Sequence, residues 1–268
     1  IVINKYLYYY LYNTDFTSLA SGILGNVGSL NKKILENLKI PIPSIEKQNQ
    51  IVEFMDLLND INKTNENKIK DLEKLIKSYL SLKISFDKNI EIKELGKICE
   101  IKCGNHSTKK SNFIEGDYLI IGGGKQPIGK HNEYNCDENT ILCASHGTAG
   151  YISMYPVKTF LTMAFAFIEN KLLINKMYLY YYLKSIEEYL ISLGKGTAQP
   201  CISMEKIKSI KIPVPSIERQ KEIVEYCEYN NTLIKQLEKE IENNKKQALQ
   251  LITDIVKAQV KEEIEEQI

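Results

Sequence analysis

KIPIPSIEKQNQIVE, Lys39 to Glu53, returns 172 residues later as KIPVPSIERQKEIVE, Lys211 to Glu225, with 11 of 15 positions identical. At the same offset YLYYYL at Tyr6 to Leu11 coincides with YLYYYL at Tyr178 to Leu183, with no gap between the blocks. Two matches on one offset are not an effect of composition, so the chain carries two copies of one module. The copies differ in extent. Ile1 aligns with Leu173, which leaves residues from about 85 to 172 without a counterpart in the first copy. The expectation is a first module that lacks its beginning, in keeping with a chain that opens on Ile rather than Met.

Each copy ends in the same order of signals: a strand-like KIPIP or KIPVP, a Ser, and a long helical pattern. Pro43 and Pro215 cannot sit inside a helix, and Ser44 and Ser216 are placed to cap the helices that follow, with Glu46 and Glu218 at the positive end of the dipole. The first helix carries apolar residues at Ile51, Phe54, Leu58, Ile61, Ile69, Leu72, Ile76 and Tyr79. The second carries them at Ile223, Tyr226, Leu233, Leu237, Ile241, Ala248, Leu251 and Ile255, with Asn230 and Asn244 at otherwise apolar positions. Stripes this narrow, flanked by Lys and Glu, predict a coiled-coil seam between antiparallel helices over Ser44 to about Leu82 and Ser216 to about Ala258. The plain alternative is two long surface helices packed on their own domains.

From Glu91 to Pro215 the pattern changes. Short apolar runs at Tyr118 to Ile121, Thr140 to Ala144 and Ala164 to Glu169 alternate with Gly, Asn, Asp and Pro turns, which reads as β-rich. Asn175 to Leu193 reads as one amphipathic helix. The fold class is therefore α/β (α+β): a β-rich domain with long antiparallel coiled-coil helices and an internal repeat. The segments are 1–43, the end of a first domain with its final helix and strand; 44–83, a long helix; 84–215, a second domain; and 216–268, a C-terminal long helix.

Composition excludes several classes. No run approaches the ~18 apolar residues of a membrane span, and no signal-peptide pattern opens the chain, so an intracellular, cytoplasmic protein with no membrane association is expected. The six cysteines are irregularly spaced in a chain too large to need staples, which predicts reduced thiols. Net charge is +1, yet residues 92–215 hold 15 Lys against 11 Asp plus Glu, a lean of +4 toward a polyanion. Arg219, at a helix start, is the sole arginine. A DNA reader of this composition cannot rely on bidentate Arg contacts to guanine.

No motif supplies a catalytic site. GKQPIGK, Gly124 to Lys130, matches part of a phosphate-binding loop, but His131 stands where a metal-binding hydroxyl belongs, Pro127 removes a donor, and no helix follows, so a polar hairpin is expected. Cys99, Cys103 and His106 lack a fourth metal ligand at a usual spacing and fit a buried strand leaving at Gly104. In CASHGTAG, Cys143 to Gly150, Ser145 and His146 are neighbours. On a strand they point to opposite faces, which argues against a nucleophile and base pair. Neither the Asn-Pro-Pro-aromatic signature of adenine methyltransferases nor a glycine fingerprint for a methyl donor is present. No catalytic residue, cofactor or metal is assigned.

The repeated K-I-P-[IV]-P-S-I-E-[KR]-Q with its long helix, the stretch IEIKELGKICEIKCG, IGGGKQPIGKHNEYN followed by ILCASHGTAGY, and GTAQPCISMEKIKSIKIPVP together resemble the specificity subunit of type I restriction-modification enzymes. The resemblance covers essentially the whole chain. It implies two target-recognition domains, each reading half of a split site in double-stranded DNA, held at a fixed distance by two antiparallel helices. It also implies partners that supply the chemistry: methyltransferase (modification) subunits and a restriction/translocase subunit. The departure is at the front, where GTAQP, Gly196 to Pro200, becomes LGNVG, Leu24 to Gly28. Only the second domain is then expected to read DNA alone.

Within that domain the polar, Gly-punctuated segments provide the candidate DNA-binding residues Lys102, Asn105, Lys109, Lys110, Lys125, Gln126, Lys130, His131, Asn132, Ser145, His146, Thr148 and Gln199. Lys can hold phosphates or meet guanine singly, and Asn and Gln can pair with adenine. Each also fits a solvated loop. Two further readings stay open: the recognition portion of a fused methyltransferase-nuclease, and a coiled-coil assembly protein that does not bind DNA.

Overall fold

The computed structural model describes residues 1–14, 16, 32–87, 90–104, 115–194 and 200–265. They form two compact units: Ile1–Leu72 with Thr232–Ile268, and Glu73–Asn231. Two long helices contribute to both units, α3 (Ile45–Ser85) and α8 (Ile217–Glu265). Both begin where the sequence places them. The Lys47 N–H donates to Ser44 Oγ and the Arg219 N–H to Ser216 Oγ, each at 3.3 Å, satisfying one of the amides that a helix start leaves unpaired.

In the first unit α1 (Asn4–Tyr12) is followed by the short α2 (Lys32–Glu36). Ile51, Met55 and Leu58 of α3 and Ala248 and Ile252 of α8 form one core with Tyr6, Tyr9 and Tyr10 of α1. Asn244 Nδ2 donates to Asn62 Oδ1 at 2.8 Å, an amide pair in the seam. In the second unit Tyr79 stacks on Tyr226 at 3.7 Å between centroids, and Lys83 pairs with Glu222. In each unit rising numbers on α3 meet falling numbers on α8, the antiparallel arrangement expected.

The seam runs one residue from the sequence reading at several places. Phe54 is 39% exposed while Met55 is buried, and α8 buries Cys227, Ile234 and Ile252. Apolar residues stand side by side at 54/55, 226/227, 233/234 and 251/252, so hydropathy alone does not choose between them. The buried set Ile223, Cys227, Asn230, Ile234, Ile241, Asn244 and Ala248 keeps the steps of three, four and seven that hold a seam on one face. Asn230 and Asn244 belong to it as buried polar positions.

The second unit contains the sheets. Its main sheet has the order β2 (Cys99–Cys103), β8 (Ala164–Glu169), β5 (Ile141–Ala144), β6 (Ile152–Met154), all antiparallel. The side chains alternate between two cores. Ile141, Cys143, Phe165 and Phe167 face one, and Leu142, Ala164 and Ala166 the other. A three-stranded sheet, β4 (Gly129–His131), β3 (Tyr118–Ile121), β7 (Thr159–Leu161), supplies Ile121 and Leu161 to the second core. The first core is completed from α4 (Leu95–Ile98), α5 (Lys176–Ser185), α6 (Glu187–Leu193) and α7 (Met204–Lys208).

Two expectations are corrected. The single helix over Asn175 to Leu193 is two helices divided at Ile186, whose φ of −104° and ψ of 14° leave the helical region. Just beyond the break the Glu187 carboxylate accepts from the Ile152 N–H at 2.7 Å and from Lys184, so tertiary bonds outside the helix hold this corner. The KIPVP of the second copy is a strand, β9 (Lys211–Val214), because β1 (Glu91–Glu94) pairs with it antiparallel. The KIPIP of the first copy is not a strand, since none of the described residues pairs with it, and Ile42 is 53% exposed.

What the copies share most closely is a buried glutamine. Gln48 and Gln220 are both 0% exposed. Gln48 Oε1 accepts from the Ile3 N–H at 2.8 Å, and its Nε2 donates to the carbonyls of Pro43 at 2.8 Å and Ile1 at 3.2 Å. Gln220 makes the same bonds to Asn175, Pro215 and Leu173 at 2.6, 2.8 and 3.2 Å, each residue displaced by 172. Tyr6 donates to the Pro41 carbonyl and Tyr178 to that of Pro213, both at 2.7 Å. One amide thus ties the start of the tyrosine-rich helix to the start of the long helix in each unit. Gln220→Ala should destabilise the chain by about 1 to 3 kcal/mol for each backbone group it leaves buried and unpaired, read as a lower urea midpoint. An unchanged midpoint would show the bracket to be dispensable.

Candidate nucleic-acid interface

The polar turns of the second unit do not form one continuous loop, but several are fastened together. Residues 122–128 connect β3 to β4 in an antiparallel hairpin, with the Ile128 N–H donating to the Ile120 carbonyl at 2.9 Å. This is the polar hairpin expected of GKQPIGK, and a strand stands where a phosphate-binding helix would begin. The Thr148 N–H donates to the Gly123 carbonyl at 2.7 Å and the Gly147 N–H to that of Pro200 at 3.0 Å, joining the turn after β5 to two other segments. Glycine is required on both sides of the junction: Gly147 has φ +67°, and a Cβ on Gly123 would lie 2.3 Å from the His146 carbonyl oxygen.

This junction gathers Lys125, Gln126, Ser145, His146 and Thr148. Lys125 and Gln126 are exposed, His146 and Thr148 partly so. Lys125 Nζ lies 5.7 Å from the centroid of Tyr151, which Lys184 approaches to 4.9 Å from its own helix. Ser145 is buried, and its Oγ lies 2.9 Å from His146 Nδ1. The expectation that these neighbours diverge is overturned. β5 ends at Ala144, so the alternation of a strand no longer governs residues 145 and 146.

The other candidates lie apart from the junction. Lys130 and Asn132 are exposed at and beyond β4, on the side of the hairpin away from its turn. His131, between them, is 6% exposed, stacked on Phe160 at 3.8 Å, with Nδ1 accepting from the Glu133 N–H. It holds the hairpin down and does not face solvent. Lys102 is on β2, pairs with Glu100 at 3.8 Å, and lines a cleft of about 220 Å³ with Asp137, Glu169 and Lys176. Asn105, Lys109, Lys110 and Gln199 lie outside the described residues.

Sequence reasoning missed an exposed aromatic and cationic cluster. Lys158 Nζ lies 4.1 Å from the centroid of Tyr134 and donates to its hydroxyl at 3.0 Å, which holds the ammonium pKa above its ordinary value. Tyr134 is 43% exposed and packs on Tyr118 at 5.1 Å. Lysine over tyrosine is a surface suited to a phosphate and sugar backbone. With 17 tyrosines in the chain, nothing in the sequence distinguishes this one.

Among the described residues no three His, Cys, Asp or Glu side chains gather as metal ligands, and no helix is long and apolar enough to cross a membrane. None of the six cysteines is joined in a disulfide.

Residues 1–74 and 87–251 match the family model described as the type I restriction modification DNA specificity domain, and the chain belongs to that family. A type I restriction enzyme specificity subunit of Methanocaldococcus jannaschii is 30% identical over 268 aligned residues, covering 83% of this chain and 63% of that protein. The chain spans about three fifths of the length of such curated relatives. The crystal structure of a type I restriction-modification S subunit from M. genitalium superposes with a TM-score of 0.66 at 21% identity, over 94% of this chain and 72% of that one. The HsdS subunit of Thermoanaerobacter tengcongensis gives 0.54 at 19% identity, over 94% and 68%. Both likenesses establish the fold.

Burial pushes the thiols of Cys99, Cys143 and Cys227 up to about 12. A thiol raised this far stays protonated, and so unreactive, at neutral pH. With a thiol-titrating reagent at pH 8, the exposed Cys103 and Cys201 should react first, and the buried cysteines only on unfolding. Rapid labelling of Cys143 in the native chain would contradict this packing.

Proposed function

We propose that the chain is a sequence-specific DNA recognition subunit of a type I restriction-modification complex, itself non-catalytic, acting in the cytoplasm. Its partners are double-stranded DNA, the methyltransferase (modification) subunits and the restriction/translocase subunit. In this reading residues 84–215 are a target-recognition domain, 44–83 and 216–268 are the helices that set its distance from a second reader, and 1–43 are the end of a first recognition domain. The carrying observation is the family match, which covers most of both long helices and the whole β-rich stretch between them. Supporting it are the junction of fastened turns around Lys125 and His146 and the lysine surplus of residues 92–215.

The division of labour within the site follows from chemistry. Lys125 and Lys130 are exposed cations suited to phosphates, while Gln126 and Asn132 are exposed amides able to meet a base edge. With Arg219 as the one arginine, discrimination rests on lysine, amides, hydroxyls, imidazole and DNA shape. Binding is to be measured by competition on the complex assembled with the methyltransferase subunits, across a salt series. Lys125→Ala or Lys130→Ala should weaken all sequences alike and lower the salt slope by about one. Gln126→Ala or Asn132→Ala should cost about 1 to 3 kcal/mol on the cognate half-site alone. An assembled complex that binds no DNA sequence in preference to any other would refute the proposal.

A further inference from the structure

Residues 131–136 are held more firmly than a solvated turn requires. The His131 ring is stacked on Phe160, and the Asn135 side chain donates to the Leu161 carbonyl at 3.0 Å while accepting from the Leu161 N–H at 2.6 Å. The Thr159 carbonyl accepts from the N–H groups of Asn135 and Cys136, each at 3.1 Å, and the Thr159 N–H donates to the Cys136 carbonyl at 2.9 Å. The segment that leaves β4 is thereby stitched along β7. A strip bound on its inner side presents its outer side chains with little further entropy to lose on binding.

Those outer side chains include the exposed Asn132 and Tyr134, with the exposed Lys130 just before them and Lys158, next to the start of β7, alongside Tyr134. Lys158 Nζ lies over the Tyr134 ring and donates to its hydroxyl at 3.0 Å, while Tyr118 packs against the same ring. An ammonium can only donate, so the hydroxyl is the acceptor in this contact and turns its own proton elsewhere. Two donors thus stand 3.0 Å apart at the surface, close enough to meet one anion together. A hydroxyl partner also leaves the lysine charge in place. Asp137 and Glu138 reinforce the Tyr134 bond in raising the ammonium pKa, but both carboxylates are exposed, where solvent and salt screen them.

Resting on the DNA-reading proposal above, we infer that Lys158 and Tyr134 together grip one phosphate of the DNA backbone, and that this grip sets Lys130 and Asn132 against the duplex. A phosphate offers several acceptor oxygens and a charge, which suits a cation beside a hydroxyl, whereas a base edge offers acceptors without the charge. The lysine supplies attraction and the tyrosine direction. The contact strengthens binding on every sequence and reads none.

The test uses the full chain assembled with the methyltransferase subunits, titrated with cognate and unrelated duplexes across a salt series. Lys158→Met, which keeps the stem over the ring and removes the charge, should weaken both duplexes alike and lower the salt slope by about one. Tyr134→Phe removes a neutral donor, so it should weaken both by roughly 3- to 10-fold with the slope unchanged. In a scan of neutral methylphosphonates along the cognate duplex, one site should cost the wild-type complex affinity and cost the Lys158→Met complex much less. Lys158→Arg should restore the slope. A wild-type slope in Lys158→Met, or a methylphosphonate profile that matches wild type at every site, would overturn the inference while leaving DNA recognition intact. Lys158→Met that assembles poorly with the methyltransferase subunits but binds DNA normally once assembled would also overturn it, and would assign the pair to an acidic protein surface. A wild-type complex without any sequence preference would instead remove the reading on which the inference rests. Should Lys158→Met fail to fold, Tyr134→Phe decides: its loss must be uniform between duplexes and fall at one methylphosphonate site.

Discussion

A single buried carboxamide sets the frame of each unit. Gln48 and Gln220 sit one turn into the long helices with no exposed surface, and each is bonded to the backbone on both sides of the junction it bridges. A buried amide left unpaired is expensive, so the segments that satisfy it are held in one arrangement. The direction in which each long helix leaves its tyrosine-rich neighbour follows from this. Apolar packing around Tyr6 and Tyr178 adds to the stability, but it lacks the directionality that makes the two junctions superimposable bond for bond.

Much of this was legible. The repeat located both helix starts, and Tyr118 to Ile121 and Ala164 to Glu169 are strands over the very residues whose hydropathy marked them. What escaped is what depends on distant partners. KIPIP and KIPVP are nearly the same sequence, yet among the described residues only the second meets a strand to pair with. Glutamine in the first turns of a helix reads as solvent-facing unless the groups it will bond are known. On α8, adjacent apolar residues gave hydropathy two choices, and the spacing around Asn230 and Asn244 made the decision.

The candidate site was legible as composition and not as geometry. Polar, glycine-punctuated segments marked the right turns, but Lys125 and His146 share a junction through a carbonyl of Gly123 that no local rule foresees. His131 and Ser145 turned out to be buried supports, and the Lys158 and Tyr134 pair was invisible in a tyrosine-rich chain. Side chains that hold a turn and side chains that it presents have the same character in sequence. Burial alone separates them.

The ribbon of β1 and β9 also orders events in time. Its closing ion pair joins Glu94 to Lys211 at 2.8 Å across 117 positions of chain, so forming it from an unstructured polymer costs about 4 kcal/mol of closure entropy before any contact repays it. The tyrosine-rich and long helices need only neighbouring residues to begin winding. The ribbon must wait until the sheets between its strands have gathered, which makes its register a late step in folding and places the second unit among the slower topologies, those dominated by long-range pairing.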